Sequence, residues 1–242
     1  MIITKVKSYL GSLNKNKGTE KAPDLILKGL KGNFEIEEVQ ENNNIDELNK
    51  KLEDSEGDIF IGGDHSITYP LFKGLKGENK GLIIFDAHPD CDNYTNTVTH
   101  EDFVKKLIDE NHLKKENLIL IGLRSYCNNE VKFLKENKIK YYTQEKIFDI
   151  GIKEVTDIVM EIANSFSCLY ISIDIDVLDP CYAPGTGYLE PAGLSTLELI
   201  YILKKLKLLK NLKRVDLVEV NPDNDINGLT INVAKKIIKV LL

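Results

Sequence analysis

Four short stretches of this sequence place carboxylates and imidazoles where apolar runs end. Gly62, Gly63, Asp64, His65 and Ser66 follow the run 58 to 61, and Asp86, Ala87, His88, Pro89 and Asp90 follow 82 to 85. Asp174, Ile175 and Asp176 close the run 168 to 173, and Glu219 stands before Asn221 and Pro222 at the end of 214 to 220. A strand buried on both faces has no place for bare charge, so acids at its end call for a partner of opposite sign. Side-chain alternation sends Asp86, His88 and Asp90 to one side of an extended chain, and Asp174 with Asp176 likewise. Four aspartates gathered in a half-buried cleft repel one another and protonate unless cations neutralise them. Two divalent ions balance four carboxylates, and His65 and His88 complete the set with imidazole nitrogen. Oxygen-rich ligation without thiolate suits manganese, or another divalent ion of the first transition row, better than a structural zinc. Taken singly, Asp-x-Asp reads as a solvated strand edge and GGDH as a glycine turn opening a helix. The combination carries the metal reading. His100 follows the same strand ends, whereas His112, in DENHLKK, reads as a surface residue.

The elements that must position these residues alternate along the chain. Strand-like runs fall at 2 to 9, 34 to 39, 58 to 61, 82 to 85, 118 to 121, 139 to 142, 168 to 173 and 214 to 220. Apolar residues at three- and four-residue spacing predict helices at 45 to 52, 67 to 75, 101 to 110, 129 to 137, 153 to 165, 196 to 208 and 229 to 242. Such alternation marks a parallel sheet with helices on both faces, and ligands bind such sheets beyond the carboxyl ends of the strands. Ser195 with Glu198 predicts a capping box at the start of the helix at 196. No Pro-, Gly- or Ser-rich linker divides the chain, so one domain over 1–242 is expected.

Composition narrows the partners. A formal charge of -6 and a pI near 5.4 argue against a nucleic-acid surface, which needs clustered bases on one face. No apolar run reaches the roughly 20 residues of a membrane span, and the basic amphipathic stretch 195 to 213 reads as a helix packed on a sheet. Four cysteines without metal spacing, and a start without signal-peptide character, predict free thiols in the cytoplasm.

GGDHS, DAHPD, SIDIDVLDPCYAPGTGYLEP and DLVEVNP, in this order from 62 to 222, resemble the motif series of the ureohydrolase family of arginases and agmatinases. The resemblance implies a three-layer α/β/α sandwich with a central, mostly parallel eight-stranded sheet and two manganese ions. It implies that His65, Asp86, Asp90 and Asp174 hold one ion and Asp86, His88, Asp174 and Asp176 the other. The implied reaction is hydrolysis of a small guanidino compound to urea and an amine, with His100 moving the proton and Glu219 binding the guanidinium. Assembly as a homotrimer or homohexamer follows from the same resemblance. Two family-related readings compete: hydrolysis of a formimino or other amidine compound, and a non-catalytic metal-binding relative.

Some positions depart from the family's pattern. Thr99, Glu101 and Asp102 flank His100 where small residues are usual, and Leu189, Glu190, Pro191, Ala192 and Gly193 stand where PEPGG is usual. Arginases tend to carry asparagine two residues after the last aspartate of the DAHxD motif, and here that position is Asp92. A carboxylate there, with Asp102, suits a substrate whose far end is cationic or neutral. The chain has two arginines, Arg124 and Arg214, neither placed to grip a substrate carboxylate. Agmatine-like substrates are therefore expected ahead of arginine.

Overall fold

The computed structural model describes residues 1–40, 44–94 and 97–242. Eight strands are formed by β1 (Ile2–Lys7), β2 (Glu35–Gln40), β3 (Ile59–Ile61), β4 (Lys80–Phe85), β5 (Leu118–Leu123), β6 (Lys140–Thr143), β7 (Cys168–Asp174) and β8 (Leu212–Val218). They make one sheet in the order β2-β1-β3-β8-β7-β4-β5-β6, and every pairing is parallel, where the expectation was mostly parallel.

Alternation within the strands builds two separate cores. One side of the sheet presents Ile83 and Phe85, Ile119 and Ile121, Ile171 and Ile173, and Val215 and Leu217. These pack against α1 (Ala22–Leu27), α6 (Gln144–Ile150), α7 (Ile152–Asn164), α8 (Thr196–Leu206) and α9 (Leu229–Leu241). The other side presents Phe60, Leu82, Ile84, Leu118, Leu120, Tyr170 and Val218 to α2 (Ile45–Glu53), α3 (Thr68–Gly74), α4 (Phe103–Asp109) and α5 (Asn128–Glu136). Helices on both faces of a sheet give the three expected layers. Because both faces are covered, the inner strands read as continuous apolar runs, as parallel strands do. Among the described residues no helix is long and apolar enough to cross a membrane.

Local chemistry sets the element ends. Pro23 sits in the first turn of α1, where its missing N–H costs nothing. The capping box at α8 is present, with Glu198 N donating to Ser195 Oγ at 3.2 Å and Ser195 N to Glu198 Oε2 at 2.8 Å. α1 is six residues long and α6 buries Ile147 alone, so neither offers a repeated apolar face to the periodicity reading.

At three strand ends the chain departs from the extended alternation expected where the chemistry lies. β7 stops at Asp174 and Ile175–Val177 forms a 3-10 turn, so Asp174 and Asp176 do not alternate along one strand. β4 stops at Phe85, and Asp90 has a left-handed backbone with φ 48°. β8 stops at Val218, and Glu219 is left-handed too, at φ 61°. Tight turns, in place of extended chain, aim these side chains.

Candidate metal centre and cavity

β3, β4, β7 and β8 all run the same way, so their carboxyl ends open on one side of the sheet. His65 begins a 3-10 turn after β3, capped by Asp64, whose carboxylate accepts Ser66 N at 3.0 Å. A Cβ on Gly63 would lie 1.5 Å from the Ser8 carbonyl oxygen, so only glycine lets this turn pass so close to the end of β1. His65 Nδ1 lies 3.0 Å from Asp86 Oδ2, 2.9 Å from Asp90 Oδ2 and 3.3 Å from Asp174 Oδ2. His88 Nδ1 lies 3.0 Å from Asp176 Oδ2 and 3.4 Å from Asp86 Oδ1. Two groups of donor atoms result, His65 with Asp86 and Asp90, and Asp86 with His88 and Asp176, each within 4.8 Å. Asp86 belongs to both.

The backbone around these acids is itself bound to them. Ala87 N donates to Asp176 Oδ1 at 3.0 Å, His88 N to Asp86 Oδ1 at 2.6 Å, and Asp176 N to Asp174 Oδ1 at 2.8 Å. Behind His65, its Nε2 meets Ser172 Oγ at 2.8 Å, and Ser172 Oγ donates to Asp216 Oδ1 at 2.6 Å. Thr68 and Tyr170 also give their hydroxyl protons to Asp216. With its own proton committed to Asp216, the serine oxygen accepts from Nε2–H, which turns Nδ1 toward the carboxylates of Asp86, Asp90 and Asp174. Burial would lower His65, yet those three facing acids raise it well above the usual imidazole range.

Two observations test whether the cluster fits a cation. His65 Nδ1 and Asp86 Oδ2 are fully buried and neither has a hydrogen-bond partner. Such orphaned atoms are costly unless something else satisfies them. Charge tells the same story. Burial, then the neighbouring Asp86 charge, pushes Asp90 up to about 8. Burial, then the charges of Asp176 and Asp86, raises Asp174 well above the usual carboxylate range, and Asp176 is raised as well. Burial would raise Asp86 too, but the imidazoles of His65 and His88 outweigh it and hold Asp86 low. The acids outnumber the imidazoles that could balance them, and divalent cations fit this donor set.

A cavity of about 380 Å³ opens on the cluster. His100 and Glu219 stand at its wall, joined by His100 Nδ1 and Glu219 Oε1 at 3.2 Å. Burial alone would lower His100, yet the hydrogen bond and charge of Glu219 raise it to about 9. Glu219 also accepts His65 N at 2.7 Å and the side-chain amide of Asn16. His100 N donates to the Gly11 carbonyl at 3.0 Å, so the loop after β1 holds both members of the pair.

Asp92 lines the cavity, and Asp102 does not. The Asp102 carboxylate turns inward, accepting Thr99 N at 2.9 Å and Thr99 Oγ1 at 2.6 Å, because the backbone before α4 needs a local acceptor. His112 lies apart from the cavity, 3.4 Å from Glu110. Sequence reasoning missed Asn16, Tyr188, Glu190, Ser172 and Asp216. Asp216 did carry a signal, an acid inside an apolar strand, whereas nothing in NKNKG distinguishes Asn16 from its neighbours. Arg124 is structural: its guanidinium donates to the carbonyls of Asp176 at 2.6 Å and Glu190 at 2.8 Å.

A family model described as the Arginase family matches residues 10–242. An arginase of Staphylococcus aureus (strain COL) is 33% identical over 220 residues, which is 84% of this chain and 72% of that protein. A guanidinopropionase of Pseudomonas aeruginosa is 33% identical over 178 residues, 71% of this chain and 55% of that protein. Among solved structures, a formimidoylglutamase from Bacillus subtilis shares the fold with a TM-score of 0.90 at 22% identity, covering 99% of this chain and 84% of that one.

Proposed function

This chain belongs to the arginase family, hydrolases of amidino C–N bonds that depend on a binuclear metal centre, and we propose that its substrate is a guanidino compound with an amine tail, agmatine-like in preference to arginine. In this reading manganese is the metal. His65, Asp86, Asp90 and Asp174 would hold one ion, and Asp86, His88, Asp174 and Asp176 the other. Bound there, two such ions would supply Lewis acidity and lower the pKa of water toward neutrality.

The chain's own groups do the rest. Glu219 accepts N–H groups of the planar cation through a charge-assisted bond and orients its central carbon. His100, kept protonated near neutral pH by Glu219, gives a proton to the departing amine nitrogen. The observation that favours an amine tail is the lining of the cavity. Among the described residues it includes Asp92 and Glu190 and neither lysine nor arginine. A substrate carboxylate would meet like charge there, and an ammonium would meet opposite charge. The four free cysteines support a reducing cytoplasm as the setting.

The test incubates manganese-loaded protein with agmatine, arginine, guanidinobutyrate, guanidine and formiminoglutamate, and assays urea, ammonia and formamide. Urea from agmatine above all others is the expected result. Formamide from formiminoglutamate alone would move the chain to the amidine branch, and no release from any compound would end the enzymatic reading for these classes. Within the same assay, Asp92→Asn is expected to lower kcat/KM for agmatine relative to arginine by roughly tenfold. An unchanged ratio would remove Asp92 from substrate recognition.

A further inference from the structure

Among the described residues, Tyr188 is the aromatic side chain that stands between the imidazoles of His88 and His100 at the cavity wall. Its ring centroid lies 5.3 Å from that of His88 with the planes at 60°, and 6.1 Å from that of His100 at 33°. The ring lines the cavity. A half-buried tyrosine in a loop is ordinarily free to swing about its first side-chain torsion, but this one is anchored at its far end. Tyr188 Oη donates to Glu101 Oε1 at 2.9 Å. Glu101 is in turn held by Lys15, whose Nζ pairs with the same oxygen and lies 5.9 Å from the Tyr188 ring centroid. Three segments distant in sequence therefore fix one ring plane beside the metal centre.

We infer that Tyr188 is a specificity-determining residue whose ring face receives the planar cationic head of the substrate, and that Glu101 is the positioning residue that holds the ring for it. The inference rests on the guanidino reading above. A guanidinium or amidinium is flat and delocalised, with N–H donors around its edge and a weakly hydrated face. Glu219 takes the edge and the π-face of Tyr188 takes the plane, so the two contacts are mutually perpendicular. A tetrahedral ammonium is attracted to the same face, but it is compact and strongly hydrated and cannot stack flat upon it. The pairing therefore favours the substrate head over the product amine, which carries its charge on a tetrahedral nitrogen.

The test compares Tyr188→Leu, Tyr188→Phe, Glu101→Ala and Glu101→Gln, each checked for bound metal and thermal midpoint against the unaltered protein. Steady-state kinetics on the best substrate of the panel are paired with calorimetric binding of agmatine. Tyr188→Leu is expected to raise KM and the dissociation constant roughly tenfold, with kcat within about threefold. Tyr188→Phe keeps the face and loses the anchor, so it falls between. Glu101→Ala follows Tyr188→Phe, and Glu101→Gln, which still accepts the phenol proton, returns toward the unaltered values. KM and dissociation constant within twofold of the unaltered protein in Tyr188→Leu would overturn the inference. So would a loss confined to kcat. If the unaltered protein binds agmatine through Tyr188 yet hydrolyses nothing, the functional reading fails and this one stands; if it binds no such cation, both fail.

Discussion

Asp86 lends an oxygen to both donor groups, and Asp90 to one. Replacing Asp86 by alanine therefore removes a ligand from each ion, whereas Asp90→Ala spares the group built on His88 and Asp176. Elemental analysis after dialysis is expected to find no tightly held divalent ion in Asp86→Ala and about one per chain in Asp90→Ala. Equal retention in the two variants would contradict the shared role. At this scale most of the site was legible. Aspartate and histidine at the ends of apolar runs create an electrostatic conflict visible in the sequence, and the structure gathers that conflict into one cluster. What was not legible is how the side chains converge. Strand alternation was the expected device, but the left-handed backbones of Asp90 and Glu219 and the turn at Ile175–Val177 do the aiming. A non-glycine residue with positive φ leaves no mark in composition, and it persists because surrounding bonds hold it. Glu219 shows such bonds, from His65 N, Asn16 and His100.

Elements were read in proportion to their length and periodicity. All eight strands and seven of the helices announced themselves, while α1 is six residues long and α6, no shorter than α3 or α4, buries Ile147 alone. The start of α8 could be read to the residue because capping is a local matter of two side chains three positions apart. Ser195 and Glu198 satisfy each other's backbone N–H. Ser195→Ala removes one of these bonds and is expected to cost about 1 kcal/mol, read as a lower urea midpoint with an unchanged denaturant slope. A midpoint equal to that of the unaltered protein would mean that packing of Leu199, Ile202 and Leu203 fixes this helix end without its cap. Asp102 is the opposite case. It looked like a substrate contact by proximity to His100, but the loop needed its carboxylate to hold Thr99, and local backbone demand prevailed.

For the molecule as a whole, the sheet gathers acids at one end while its two cores hold the strands in register. This concentration of charge ties metal uptake to proton release. Asp90 is raised to about 8, so near pH 7 the metal-free cluster holds a proton on a carboxyl that is ionised in an unfolded chain, and Asp174 and Asp176 are shifted in the same direction. A cation takes the proton's place. Manganese titrations at pH 7 in two buffers of different ionisation enthalpy are expected to give different heats, and affinity is expected to weaken as pH falls below about 8. Identical heats would mean that the carboxyls are already bare. The main-chain bridge between Leu178 and Leu194 has a different kind of consequence. It joins the two ends of the segment that carries Tyr188 and Glu190. Asp179 accepts Ala192 N from across that segment and Arg124 grips the Glu190 carbonyl, so the segment is closed upon itself before it meets any substrate. A part so fastened at its base keeps its side chains arrayed over the cavity with no ligand to shape it, like a mould cut before anything is cast in it.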